Sequence, residues 1–236
     1  MSSGTLYVVG MPIGNSKDIS MRALSILQSA HSIYTEDTRS FHNFLLVLER
    51  DNRNIHFSNK EIRSCYQENQ YMRAREIHER ITNGENVCLL SEAGMPLVSD
   101  PGAYVVDYCR RNGVTVQVVP GPSALTTIMT VSGFEPKSTV FLGYIPKKHS
   151  IVEVISQLSS SVLPRPLCLI FFESSHRIKK TLMKLVKLDA RVCVACNMTK
   201  KDEYIWIGNA GEIDSSQFPD KGEYTCAVLF QKKNST

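Results

Sequence analysis

Four stretches of this 236-residue chain hold residue types and spacings that could do chemistry: Gly10–Asn15 (GMPIGN), Ser91–Gly102 (SEAGMPLVSDPG), Pro120–Ala124 (PGPSA) and the pair Cys193/Cys196. GMPIGN stands where a phosphate loop would stand, after an apolar run and before a helix-like segment. It has neither GxGxxG nor Gly-Lys-Ser/Thr, so dinucleotide and triphosphate binding both lose their mechanism there. A glycine turn that links strand to helix is the plain alternative. Cys193 and Cys196 form a CxxC inside RVCVACN, a strand-like run in which a spacing of three sends the two thiols to opposite faces. No second pair and no histidine cluster accompanies them, so the sequence predicts no metal site. Nothing matches a nucleophile elbow or HExxH. The two remaining stretches, rich in glycine and proline, point to a small-molecule cleft at strand ends. Glycine there lets a ligand approach the backbone, and proline fixes the loop's shape.

Those loops need strands behind them. Runs rich in Val, Ile and Leu recur at Leu6–Val9, Ser32–Thr35, Val87–Leu90 and Val114–Val119. Helix-like spacing lies between them, at Ile19, Ala23, Leu27 and Ala30 and again at Met72, Ile77 and Ile81, the latter stopping at Asn83-Gly84. This alternation predicts a mainly parallel sheet. After Pro120-Gly121-Pro122 the pattern changes to a helix-like Ser123–Ser132, then runs at Thr139–Leu142, Leu167–Phe172, Val192–Cys196, Tyr204–Ile207 and Thr225–Phe230. Short polar turns join the last three, as in an antiparallel meander. The expected architecture is α/β: a domain over 1–120 on a mainly parallel sheet, and a domain over 121–236 on a mixed sheet with antiparallel strands. A cofactor cleft is expected between them, with the boundary at Pro120–Pro122.

Composition excludes several classes. At 42% apolar residues the chain can bury a core, so neither disorder nor a fibre is plausible. No apolar run approaches the roughly 20 residues needed to span a bilayer, and MSSGTLYVVGMP lacks the pattern of a secretory leader. Seven cysteines, scattered mostly in apolar runs, suit a reducing cytoplasm. Net charge is +4, unevenly spread: residues 1–120 carry 12 Lys/Arg against 13 Asp/Glu, whereas residues 137–201 carry 12 against 3. That second stretch has the footprint of a polyanion binder. Solvated helix faces carrying Lys179, Lys180, Lys184 and Lys187 are the plain alternative.

Seven motifs in order and spacing resemble the tetrapyrrole-methylase-like superfamily: GTLYVVGMPIGNSKDI from Gly4, EDTR from Glu36, SEAGMPLVSDPG from Ser91, PGPSA from Pro120, FLGYIP from Phe141, FESSHR from Phe172, and Thr199-Lys200. Within it they look most like the ribosomal RNA small-subunit methyltransferase I branch, which methylates a cytidine 2′-hydroxyl of 16S RNA. The chain departs from that branch at Glu92 and Met95, where SDAGTP is usual, at Ser175 in the ESPHR position, and at Cys196–Lys200, where a RELTK-like segment is usual.

The resemblance implies S-adenosylmethionine as cofactor, ribosomal RNA or the small ribosomal subunit as partner, a homodimer, and no membrane or metal. Position by position it implies cofactor contacts from Met11, Pro12, Met95, Val98, Ser123 and Ala124, and from Phe172, Asn197, Met198, Thr225 and Ala227. Methyl transfer is an in-line displacement at a sulfonium, so alignment is the main task and the site can be poor in titratable groups. A proton acceptor for the ribose hydroxyl would come from Glu92, Asp37, Asp100 or His176, all in matched motifs. Asp37 and Asp100 also stand where short acidic side chains cap backbone groups. RNA contacts are expected from Arg39, Lys147, Lys148, His176, Arg177, Lys200 and Lys201. Two other readings stay open: a methylase of a tetrapyrrole-like or other small metabolite, and an inactive cofactor- or RNA-binding protein.

Overall fold

A computed structural model describes residues 4–51, 57, 60–145, 151–159 and 163–231. The chain divides into two compact units, Met1–Ser123 and Ala124–Thr236. That division lies three residues beyond the expected boundary. The extra residues stay with the first unit because Gly121 packs on Gly10: a Cβ at Gly121 would sit 2.8 Å from the Gly10 backbone.

The first unit runs β1 (Thr5–Val9), α1 (Met21–Ser29), β2 (Ser32–Thr35), α2 (Thr38–Asp51), β3 (Glu61–Ser64), α3 (Gln70–Thr82), β4 (Val87–Leu90), α4 (Ala103–Arg111) and β5 (Thr115–Val119). Its sheet is wholly parallel, in the order β3-β2-β4-β1-β5. Helices cover both faces, which is why β2 and β4 are apolar runs rather than alternating ones. On one face Ala23, Leu24 and Leu27 of α1 and Phe41, Leu45 and Leu48 of α2 pack with Val9, Ile33, Cys88 and Leu90. On the other, Ala74, Ile77 and Ile81 of α3 and Val105 and Cys109 of α4 pack with Leu6, Tyr34, Val87 and Leu89. Two expectations need correction. Met72 is 59% exposed, because α3 buries Gln70, Ala74, Ile77 and Ile81 instead. Glu61–Ser64 is a strand that no apolar run announces, since at the sheet's edge it buries neither face fully.

The second unit runs α5 (Ala124–Ser132), β6 (Ser138–Tyr144), α6 (Ile151–Ser159), β7 (Leu167–Ser174), α7 (Ser175–Leu185), β8 (Arg191–Cys196), β9 (Tyr204–Asn209) and β10 (Glu223–Phe230). Its sheet is mixed, in the order β6-β7-β10-β8-β9, with β6 and β7 parallel and the other neighbours antiparallel. The expected meander is therefore corrected: β10 passes over β9 and inserts between β7 and β8. Burial explains the choice, because every residue from Tyr224 to Phe230 is buried, as a central strand requires, whereas no residue of β9 is buried. Ile151, Ile155, Ile178, Leu182 and Leu185 of α6 and α7 form one core with Leu169, Phe171, Val194 and Cys226. No residue of α5 joins that core, and α5 packs on β10 and β8 from the other face. All seven cysteines are buried free thiols, and Cys196 faces the α6/α7 core while Cys193 does not.

Candidate functional site

In the first unit, β1, β2, β4 and β5 are parallel, so the loops that follow them emerge at one edge of the sheet. In open α/β sheets that is the ligand edge. Two of these loops are fastened together. Met11 and Gly94 form an isolated bridge, with Met11 N donating to Gly94 O at 2.8 Å and Gly94 N to Met11 O at 3.1 Å. Ser91 Oγ lies 3.2 Å from the carbonyls of Ala93 and Gly94, to which it donates. Met95 Sδ accepts from Gly121 N at 3.3 Å, tying in the third loop. A Cβ on Gly10 would lie 2.6 Å from both that sulfur and Gly121 N, so only glycine permits this approach.

The structure sorts the residues expected here. Met11 has both backbone polar groups in the bridge and its side chain in the core, so it holds the loops together. Pro12 is buried, Met95 and Val98 are half-buried, and Ser123 and Ala124 are half-buried at the end of one unit and the start of the next. Asp37 caps α2, its Oδ1 accepting from Arg39 N at 2.8 Å, the role that short acidic side chains take at helix starts. Asp100 is different. Burial, with Glu36 and Glu92 nearby, pushes its carboxyl up to about 6. Among the described residues no group of three or more His, Cys, Asp or Glu is arranged to hold a metal ion.

In the second unit Phe172, Thr225 and Ala227 share the sheet face opposite the α6/α7 core. Thr225 pairs in register with Phe172 on one side and Ala195 on the other. Asn197 and Met198 follow β8 and are buried. The Asn197 side chain is spent locally, its Oδ1 accepting from Glu223 N at 3.0 Å and its Nδ2 donating to Asp202 Oδ2 at 2.7 Å. His176 is exposed in the first turn of α7. Arg177 is engaged internally, with Nε 3.1 Å from the buried Glu173 carboxylate and Nη1 donating to Ile145 O at 2.9 Å. Thr181 Oγ1 donates to the same carboxylate at 2.7 Å, so this group fastens α7 to the end of β7. Lys200 pairs with Glu223 at 2.8 Å, Lys201 is exposed, and the Arg39 side chain in the first unit is 93% exposed. Lys147 and Lys148 lie outside the described residues.

Sequence reasoning missed one signal. Among the described residues, four that are not glycine take positive φ: Leu97 (71°), Ser99 (66°), Asn197 (53°) and Thr199 (67°). All four fall in the two segments expected at the cofactor, the loop after β4 and the turn after β8. Such conformations cost energy and persist where the surroundings hold them, commonly at ligand sites. Asn197 is of a type that enters the left-handed region readily, whereas Leu97, Ser99 and Thr199 give no hint of such a turn in the sequence.

The model of the tetrapyrrole (corrin/porphyrin) methylases matches residues 5–214. A protein of Thermotoga maritima named ribosomal RNA small subunit methyltransferase I is 35% identical over 89% of this chain and 90% of its own length. One of the same name from Borrelia garinii is 35% identical over 94% and 97%, and one from Escherichia coli O157:H7 is 34% identical over 90% and 71%. Among solved structures, a diphthine synthase superposes with TM-score 0.67 at 16% identity over 96% of this chain and 90% of its own. A uroporphyrin-III-C-methyltransferase of Thermus thermophilus does so at 0.63 and 16%, over 95% and 94%. At these identities the structures speak for the fold alone.

Proposed function

The chain belongs to the tetrapyrrole (corrin/porphyrin) methylase family, in its ribosomal RNA small subunit methyltransferase I branch, and from that premise we propose that it 2′-O-methylates a cytidine of small-subunit ribosomal RNA using S-adenosylmethionine. What carries the reading is the coincidence of the family match with four left-handed non-glycine residues, which fall in the two segments that the resemblance assigns to the cofactor.

The residues suit such a cofactor. Its sulfonium and amino group are cationic and its adenosine offers apolar faces. The loops at 10–15, 91–102 and 120–123 contain no Lys or Arg. Pro12, Met95 and Val98 supply apolar surface, and Glu36, Glu92 and Asp100 supply a negative field. From the second unit, Phe172, Met198, Thr225 and Ala227 are the proposed contacts. When bound, the cofactor supplies a methyl carbon that the ribose oxygen attacks, the C–S bond electrons passing to sulfur as it becomes a neutral thioether.

Asp100 is the residue we assign to take the hydroxyl proton. With its carboxyl near 6 it is largely ionised at neutral pH and more basic than an ordinary aspartate. Asp37 is left as a cap, and Arg177 as an internal anchor. The exposed cations Arg39 and Lys201, with Lys147 and Lys148, are the proposed phosphate contacts. The proposed assembly is a homodimer in the cytoplasm. Among the described residues no helix is long and apolar enough to cross a membrane.

The test is a ribose-methylation map of small-subunit RNA, by mass spectrometry, from cells with and without this protein. Loss of one 2′-O-methylcytidine is expected. An unchanged map rejects ribose methylation of small-subunit RNA and leaves the cofactor reading standing. Calorimetry that finds no binding of S-adenosylmethionine rejects both enzyme readings.

A further inference from the structure

β6 contains an irregularity that changes which face its last residue presents. Phe141 pairs with Ile170 and Tyr144 with Phe172, so three steps along β6 match two along β7. Bulges are uncommon between parallel strands. Gly143 provides this one at φ 60°, in the left-handed region that glycine enters freely. In a regular strand Tyr144 would share the face of Val140 and Leu142, which pack on the α6/α7 core. The extra residue turns it to the other face. There its ring meets Phe172 at 5.5 Å, and Phe172 meets Phe141 at 5.1 Å, both edge to face.

Phe141 and Phe172 are half-buried beneath this cluster, while Tyr144 is 59% exposed. The same face carries Thr225 and Ala227, and α5 covers it over β10 and β8. An aromatic ring backed by Phe172, which Phe141 braces in turn, is thus held at the end of a strand, in the stretch of sequence where cations outnumber anions 12 to 3. Such a ring suits a planar π-system attached to a polyanion. Stacking on aromatic side chains is how proteins hold unpaired bases without reading sequence, and basic surroundings hold the phosphates.

We propose that Tyr144 is the stacking platform for the base of the nucleotide whose ribose is methylated, with Phe172, braced by Phe141, fixing its ring. The assignment rests on the RNA reading above and deepens it. A ribose hydroxyl can be presented to a methyl donor only if its nucleotide leaves the stack, and an unstacked base requires a surface of this kind.

The test measures methylation of purified small ribosomal subunits by the wild type, Tyr144→Ala and Tyr144→Phe, with S-adenosylmethionine affinity read by calorimetry. Tyr144→Ala is expected to lower kcat/KM by roughly 10- to 100-fold, the usual worth of one base–aromatic stack. Cofactor affinity should be unchanged, and Tyr144→Phe should restore most of the rate. On subunits whose target nucleotide lacks its base, the Tyr144→Ala penalty should disappear. An active wild type with an equally active Tyr144→Ala overturns the platform and leaves the RNA reading standing. So does a Tyr144→Phe as poor as Tyr144→Ala, a parallel loss of cofactor binding, or a penalty that persists without the base. A wild type that methylates no RNA overturns both.

Discussion

Three carboxylates of the first unit illustrate how environment separates residues of one chemical type. Asp37 is spent on a helix start, Glu92 is exposed, and Asp100 is held by burial and two carboxylate neighbours at about 6. If Asp100 accepts the ribose proton, kcat rises through about pH 6 as the carboxyl ionises and is level above it. Asp100→Asn removes that limb and lowers the plateau by about 100-fold or more, within the usual worth of a general base. A stability measurement should agree in sign. The folded pKa lies above the ordinary aspartate value, so the native state binds more protons than the unfolded chain between the two values. Stability then declines as pH rises through that window. Melting temperatures should show Asp100→Asn relieved of the decline, and a variant with the full limb intact would dismiss Asp100 as the acceptor. The sequence put Asp100 and Asp37 in one class, because both precede turn residues. Nothing in SDPG or EDTR shows which carboxyl is shielded from water.

At the scale of elements, apolar runs identified the interior strands and three of the four edge strands, β5, β6 and β9, and the one strand without such a run, β3, escaped notice. β3 reads EIRS and is fixed by charge instead of by a buried face. Arg63 of this strand reaches Glu76 on α3 at 2.7 Å, Arg80 reaches Glu61 at 2.5 Å, and Arg73 reaches Glu76 at 2.6 Å. Under them the buried Tyr34 donates to Glu76 Oε1 at 2.6 Å. Burial alone would raise Glu76, but hydrogen bonds from Tyr34 and Arg73 and the charges of Arg73 and Arg63 hold it below the usual range. Its stabilisation is therefore present above the ordinary glutamate pKa and lost as pH falls through the lower folded value. Glu76→Ala strands a buried phenol and takes a carboxylate from Arg63, Arg73 and Arg80, of which Arg63 and Arg80 keep Glu61, and should cost about 2–3 kcal/mol in urea unfolding, against about 1 for Tyr34→Phe. Equal losses from the two variants would reduce the network to a single hydrogen bond. The pairing of the bulged β6 with β7 and the crossing of β10 over β9 share one reason for being illegible. Each is decided by partners far away in sequence, which local pattern does not report.

Over the whole molecule, charge is divided as the fold is. Met1–Ser123 carries 12 Lys/Arg against 13 Asp/Glu, and Ala124–Thr236 carries 15 against 10, net −1 and +5. This asymmetry was legible in the sequence, whereas its internal pairing was not. Arg177 and Lys200 were indistinguishable from free cations until Glu173 and Glu223 appeared beside them. Lys179 likewise meets Asp220 at 2.5 Å. Lys201 is exposed in the basic stretch, and Arg39 in the other unit is exposed although Asp37 lies 3.8 Å away; these, with Lys147 and Lys148, are the phosphate contacts proposed above. Engagement of about four phosphates predicts a log–log slope of affinity on salt near −3 for single-stranded RNA, by counterion release. Filter binding to small-subunit RNA across a salt series measures it. Reversing Lys147 and Lys148 to Glu should weaken binding by about tenfold or more and flatten the slope by roughly 1 to 2. Reversing Arg111, which pairs with Asp107 on α4 at 3.0 Å, should leave the slope unchanged. A slope that is flat in the wild type, or that falls equally in both variants, would mean that the basic stretch is a solvated surface and that phosphate contacts lie elsewhere.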